Sequence, residues 1–160
     1  MKRTVVDKEI ESRLSEGSWT LKGCLGDDPL GIDRIEVDCA RLDEFGLELD
    51  ELGRELECLW QAGAQRLGAP SEVQKDVRVV VEEAKGRMPC PFGHPGTFSK
   101  GVMSIQMGDK QLRFSPLSIH MLREHGFLGG WGSAYRVEPS DLARLASLLK
   151  QDQQNQNSQD

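Results

Sequence analysis

Apolar residues along this chain pass from helical to strand spacing near residue 77, and that change divides it. Ile32, Ile35, Cys39 and Leu42 recur at helical spacing, as do Leu49, Leu52, Leu56, Leu59 and Gly63 with Trp60 beside them. Two amphipathic helices are therefore expected. Gly46 suits the left-handed stop of the first, and Gly68-Ala69-Pro70 closes the second. So short a connection predicts an antiparallel helical hairpin. Before it, Lys8–Leu14 has the makings of a short helix ending near Glu16-Gly17-Ser18, followed by a turn-like run at residues 23–29.

From residue 77 the period becomes two: Val77, Val79 and Val81 alternate with Arg78, Val80 and Glu82, the pattern of a strand. The Pro/Gly-dense run Pro89-Cys90-Pro91-Phe92-Gly93-His94-Pro95-Gly96 reads as a constrained loop. Residues 102–107 and 111–114 flank Gly108-Asp109-Lys110, a hairpin signature. Ser115-Pro116 opens a helix that runs to about His125 and stops at Gly126. Beyond a glycine-rich stretch, residues 134–137 suggest one more strand. A last helix from Pro139 carries Leu142, Leu145, Leu148 and Leu149. Residues 151–160 contain no apolar side chain and are expected to be a disordered polar tail.

The fold class that follows is α+β. An acidic helical hairpin precedes a small antiparallel sheet bearing a loop, hairpin and helix unit, and a C-terminal helix packs back. Residues 1–72 form a mainly helical lobe and 73–150 an α+β lobe, expected to pack as one compact unit. At 160 residues with 38% hydrophobic content, such a chain can bury a real core without help from metal or disulfides.

Charge separates the same two parts. Residues 1–86 hold 12 Lys/Arg against 20 Asp/Glu, whereas residues 87–137 hold six against two. The basic stretch is too sparse for a dedicated nucleic-acid stripe, and the acidic bulk favours a protein partner. No run of apolar residues reaches membrane-spanning length, and the basic start lacks an apolar segment behind it, so no secretory signal is expected. Cys24, Cys39, Cys58 and Cys90 are irregularly spaced, as expected of reduced thiols in a cytoplasmic protein.

The three histidines of the chain fall within 36 residues of a cysteine: Cys90, His94, His120, His125, or C-x3-H…x25…H-x4-H. Thiolate and imidazole are preferred zinc ligands, and four of them close a tetrahedral structural site. The order of knuckle, hairpin and helix loosely resembles a ββα zinc finger. The resemblance is one of spacing and topology only: the central gap exceeds the usual twelve or so, and the second loop ligand is His rather than Cys. Residues five apart on an ideal helix point about 140° from one another, so His120 and His125 converge only if the helix end departs from ideal. The bland reading also stands, with Cys90 a small buried hydrophobe and His120 a hydrogen-bonded helix residue. Cys39 belongs to an apolar stripe, and Cys24 and Cys58 have no His or Cys nearby.

A closed zinc site predicts a non-enzymatic interaction protein. The alternative is a small metal-dependent hydrolase, with His94, His120 and His125 as ligands, an open coordination position and Glu124 as general base. A further surface is suggested by residues 126–136, where glycines accompany Trp131, Tyr135 and Arg136. Those side chains suit stacking on a ligand or single-stranded nucleic acid, or else cap the core from a plain connection. No G-x-S-x-G, H-E-x-x-H or phosphate-binding loop is present. The adjacent acids of the Gly26-Asp27-Asp28-Pro29 turn suit a cation, or else make a plain acidic surface turn, the commoner case.

Overall fold

The period-two segments build the centre of the molecule. In the computed structural model, which describes residues 4–15 and 23–158, β1 (Ser71–Gln74), β2 (Val77–Glu82), β5 (Val102–Met107) and β6 (Lys110–Phe114) form one antiparallel sheet in the order β1-β2-β5-β6. Val79 faces Ile105, and Ile105 faces Leu112, so every second residue of three strands points to the same side. Val77, Val79, Val81, Met103, Ile105, Met107, Leu112 and Phe114 are buried there. Each such side chain contributes about 1.5–3 kcal/mol through its removal from water.

The helices are α1 (Val5–Ser15), α2 (Arg34–Glu44, after a 3-10 turn at Gly31–Asp33), α3 (Leu49–Ala64), α4 (Pro116–His125) and α5 (Pro139–Asn157). α3 lays Leu52, Leu56 and Leu59 onto the core and ends over the sheet at Gly63. A Cβ there would stand 2.5 Å from Val81 Cγ2, so only glycine allows the approach. Gly63→Ala is expected to cost about 1–3 kcal/mol through overpacking, read as a lower urea midpoint at unchanged m-value. α3 meets α4 in a similar way: Arg123 lies across Gly53, donating to Asp50 (2.8 Å) and Glu57 (2.9 Å) on either side of it.

Several expectations are corrected here. The helical hairpin is not the main packing of either helix; α2 lies against α5, while α3 packs on β2 and α4. The apolar stripes of α2 and α3 serve a shared core from different places. Residues 134–137 form no strand: the segment turns on Arg136 N–H to Ser133 O and returns through a single bond, Val137 N–H to Leu128 O. β1 was not legible because its burial pattern does not alternate cleanly and its register shifts between Glu72 and Gln74. The polar stretch from residue 151 continues as the exposed last turns of α5, to Asn157. Glu16-Gly17-Ser18, the expected stop of the first helix, lies outside the described residues.

A second, smaller sheet pairs β3 (Arg87–Pro89) with β4 (Thr97–Ser99). The unit expected in the order knuckle, hairpin, helix is therefore not formed as such. The hairpin β5–β6 belongs to the central sheet, and the Cys90–His94 loop is carried by its own two-stranded ribbon. That ribbon closes a second buried cluster with Leu14 of α1, Leu25, Leu117 and Met121 of α4, and Phe127.

Candidate metal centre

Alternation along β3 aims the first sulfur inward. Met88 is buried between exposed Arg87 and Pro89, and Cys90, two residues on, shares its face. Beyond it the chain reverses on Gly93 N–H to Cys90 O, with Gly93 and Gly96 at φ 88° and 97°, where a side chain would strain the backbone. Arg87 pins the ribbon from outside through Thr97 Oγ1 (2.7 Å) and Thr97 O (2.6 Å). Arg13 of α1 reaches over to donate to Pro91 O (2.9 Å).

α4 supplies the imidazoles. Ser115 caps it through a reciprocal box with Ser118, and Pro116 occupies its first turn. Ile119 and Leu122 enter the main core, and Leu117 and Met121 the second cluster, so His120 sits at the seam between the two. The helix ends on Gly126 in the left-handed conformation (φ 66°, ψ 20°), whose N–H reaches Met121 O as well as Leu122 O. Phe127 N–H also bonds Met121 O. His125 is the last helical residue, and its ring centre stands 5.3 Å from that of His120. The two imidazoles meet although residues five apart on an ideal helix point about 140° from one another.

Cys90, His120 and His125 present sulfur and nitrogen atoms all within 4.8 Å of one another, close enough to hold one metal ion. Cys90 Sγ lies 3.4 Å from His125 Nε2. Ligands held by one tetrahedral zinc, with sulfur at about 2.3 Å and nitrogen at about 2.0–2.1 Å, stand about 3.5 Å apart. A thiol–imidazole hydrogen bond also fits that distance, but it does nothing for His120, whose buried Nε2 has no hydrogen-bond partner among the described residues. Leaving such an atom unsatisfied costs about 1–3 kcal/mol, and a shared ion supplies what it lacks.

The surroundings are apolar. Phe92 stacks on His125 at 4.2 Å between ring centres and 10° between planes, and Phe98 lies 4.4 Å from His120. Burial pushes both imidazoles below the ordinary histidine value, with the neighbouring His94 adding to the effect. Both surroundings favour the neutral ring, the form that offers a lone pair to a metal. His94 is exposed at the loop tip, its ring centre 5.1 Å from that of His120 and 4.7 Å from that of His125. His94 thus borders the group on the ring side, whereas the atoms that lie within 4.8 Å of one another belong to Cys90, His120 and His125.

Glu124 projects to solvent, and among the described residues it makes no hydrogen bond to the imidazoles; its charge acts on them only at a distance. The Trp131–Arg136 segment has a structural occupation. Arg136 is buried against Asp38, which it binds through both terminal nitrogens (Nη2 to Oδ1, 3.0 Å), and it also donates to Gly129 O (2.9 Å) and Glu138 (3.1 Å). Its guanidinium is not turned outward to a ligand. Trp131 is half-exposed, with Arg34 stacked 3.9 Å above its ring. Tyr135 is half-buried, with Arg113 5.6 Å from its ring. The glycines of this run allow two backbones to touch: Gly130 N–H donates to Cys24 O (2.8 Å), and a Cβ on Gly130 would fall 2.0 Å from Leu25 O.

Sequence reasoning missed Asp28 and Arg34. The expected acidic surface turn is a buried pair, Arg34 Nε donating to Asp28 Oδ2 at 2.8 Å with side-chain exposures of 7% and 0%. Nothing in the local pattern couples residues 28, 34 and 131, because the contact arises from loop against loop. The roles of Phe92 and Phe98 had a weak signal, an aromatic ring within a few residues of each loop ligand.

No family model, curated protein or solved structure matches the chain. Among the described residues no helix is long and apolar enough to cross a membrane.

Proposed function

We propose that Cys90, His94, His120 and His125 hold one zinc ion in a closed, tetrahedral, structural site. The protein is a non-enzymatic cytoplasmic interaction module whose partner is another protein. The observation that carries this reading is His120: among the described residues its buried Nε2 has no hydrogen-bond partner, and the ring offers a nitrogen within 4.8 Å of a thiol and a second imidazole. Ring spacing supports the full set of four. Three imidazoles on one tetrahedral zinc, each with its centre about 3.2 Å from the metal, have centres about 5 Å apart. The spacings here are 5.1, 4.7 and 5.3 Å.

Four ligands leave zinc without a position for water, so the chemistry supplied is cross-linking: the metal ties a two-stranded ribbon to the end of a helix. Exposed Glu124, with no bond to either ring, weighs against hydrolysis. A net charge of −6, concentrated in residues 1–86, favours a basic protein surface over nucleic acid as partner. Native mass spectrometry of the purified chain is expected to show one zinc per molecule, retained in Glu124→Gln and lost in Cys90→Ser. A folded, metal-free wild-type chain would overturn the reading.

A further inference from the structure

The outer side of α3 and the far end of α5 diverge and leave a cleft of about 560 Å³ beside β1. Its floor is apolar: Leu59 is buried, and Val73 and Leu149 are half-buried. Its rim is acidic: Glu51 and Glu55 from α3, and Asp152 from the polar turns of α5. Two cations stand nearby: Arg54, already bridged to Asp50 at 3.1 Å, and Lys150, whose charge partly offsets the effect of Glu51 on Glu55. Gln151–Asn157 thus has a role that its composition does not announce, because these turns raise one wall of the cleft.

Two physical features state what such a cleft takes. Half-exposed Leu149 and Val73 gain by being covered with apolar side chains. The carboxylates repel one another, and this shows at Glu55, which burial and then neighbouring Glu51 hold above the ordinary carboxylate range. A cation brought to the rim relieves that repulsion, while an anion adds to it. Neither feature involves the Cys/His cluster, whose residues lie on α4 and the β3–β4 ribbon.

We infer that this cleft docks an amphipathic, basic peptide segment of a partner protein, its apolar side chains on Leu59, Val73 and Leu149 and its Lys or Arg residues against Glu51, Glu55 and Asp152. The inference rests on the reading of the chain as a protein-interaction module, and it is independent of the metal. Hydrophobic contact fixes the register, while the charges set the on-rate and the choice of partner, so the affinity falls as salt rises.

The cleft carries its own reporter. Cys58 lines it and is exposed, whereas Cys90 is buried, and burial raises the thiol pKa of both Cys24 and Cys39. Cys58 is accordingly the thiol that alkylates first. The probe is a 14-residue peptide of leucine and lysine at helical spacing, compared with a scrambled peptide of the same composition, added to the full chain. Metal content is measured on the same samples, so a failure of the zinc reading is seen separately. The amphipathic peptide is expected to slow iodoacetamide modification of Cys58 by about tenfold at low salt, and the scrambled peptide to do so far less. The double variant Glu51→Lys/Glu55→Lys, which reverses both rim charges, is expected to lose the protection while its circular dichroism shows the fold retained. Equal protection by both peptides, no protection by either, or full protection in the double variant would each overturn the inference.

Discussion

With zinc bound as proposed, stripping it from the protein is expected to lower the melting temperature by about 10–15 °C. An ion that binds only the folded chain stabilises it by RT ln(1 + [L]/Kd), about 4 kcal/mol when free metal is a thousandfold above Kd. In a chain of this size each kcal/mol moves the midpoint by about 2–4 °C. The loss will be uneven. Leu14, Leu25, Leu117, Met121 and Phe127 form a cluster much smaller than the sheet core, and its ribbon is only three residues long on each strand. Hydrogen exchange after chelation should therefore accelerate first in α1, in β3–β4 and at the end of α4. Amides of β2 and β5, which carry buried residues of the main core, should keep their protection. An unchanged midpoint on full metal removal would show that the cluster is held by packing alone.

The next largest effect is expected from Asp28→Ala. The Asp28 carboxylate accepts Arg34 Nε and Nη2 (2.8 and 3.0 Å), Leu30 N–H (3.0 Å) and Trp131 N–H (3.2 Å). Its removal leaves a buried guanidinium without this carboxylate and takes an acceptor away from two loop amides. Breaking one side of a buried pair costs about 3–5 kcal/mol. The bonds from Arg34, then those from the two backbone amides, hold the Asp28 carboxyl down at about 2 against the opposing effect of burial. A depressed carboxyl contributes stability that is fully present above its unfolded value near 4 and is lost as pH falls toward 2. Wild-type protein is thus expected to lose stability on acidification through that window. In Asp28→Ala this part of the pH dependence should vanish and the urea midpoint at neutral pH should drop. A loss under about 1 kcal/mol at pH 7 would mean that water replaces the carboxylate and that the pair is not a structural hub.

Much of the architecture was legible because it depends on local periodicity. The alternation at Val77–Val81 and the Gly108 hairpin specify β2, β5 and β6, and Ser115-Pro116 with Gly126 marks both ends of α4. What stayed hidden depends on contacts between distant segments. The spacing of α2 and α3 is that of a hairpin, yet tertiary packing sends α2 to α5. Three-residue strands such as β3 and β4 are too short to show a period. The polar turns of α5 continue a helix already begun on Leu142 and Leu145, so propagation rather than composition decides them.

The candidate site divides in the same way. Residue type and clustering pointed to Cys90, His94, His120 and His125 without any knowledge of the fold. The convergence of Cys90, His120 and His125 depends on the inward face of β3 and on where α4 lies against the β3–β4 ribbon, neither of which is visible in spacing alone. Arg136 shows the reverse error. Its place beside glycines and aromatics suggested a ligand surface, and only the fold reveals Asp38, 98 residues away in sequence, as its partner.

X-ray absorption at the zinc edge on the purified protein tests the central claim most directly. One sulfur at about 2.3 Å and three imidazole nitrogens at about 2.0–2.1 Å is the predicted shell. A shell with one sulfur, two nitrogens and a water-like oxygen would exclude His94 and reopen the catalytic alternative. A spectrum showing no bound zinc would contradict the account.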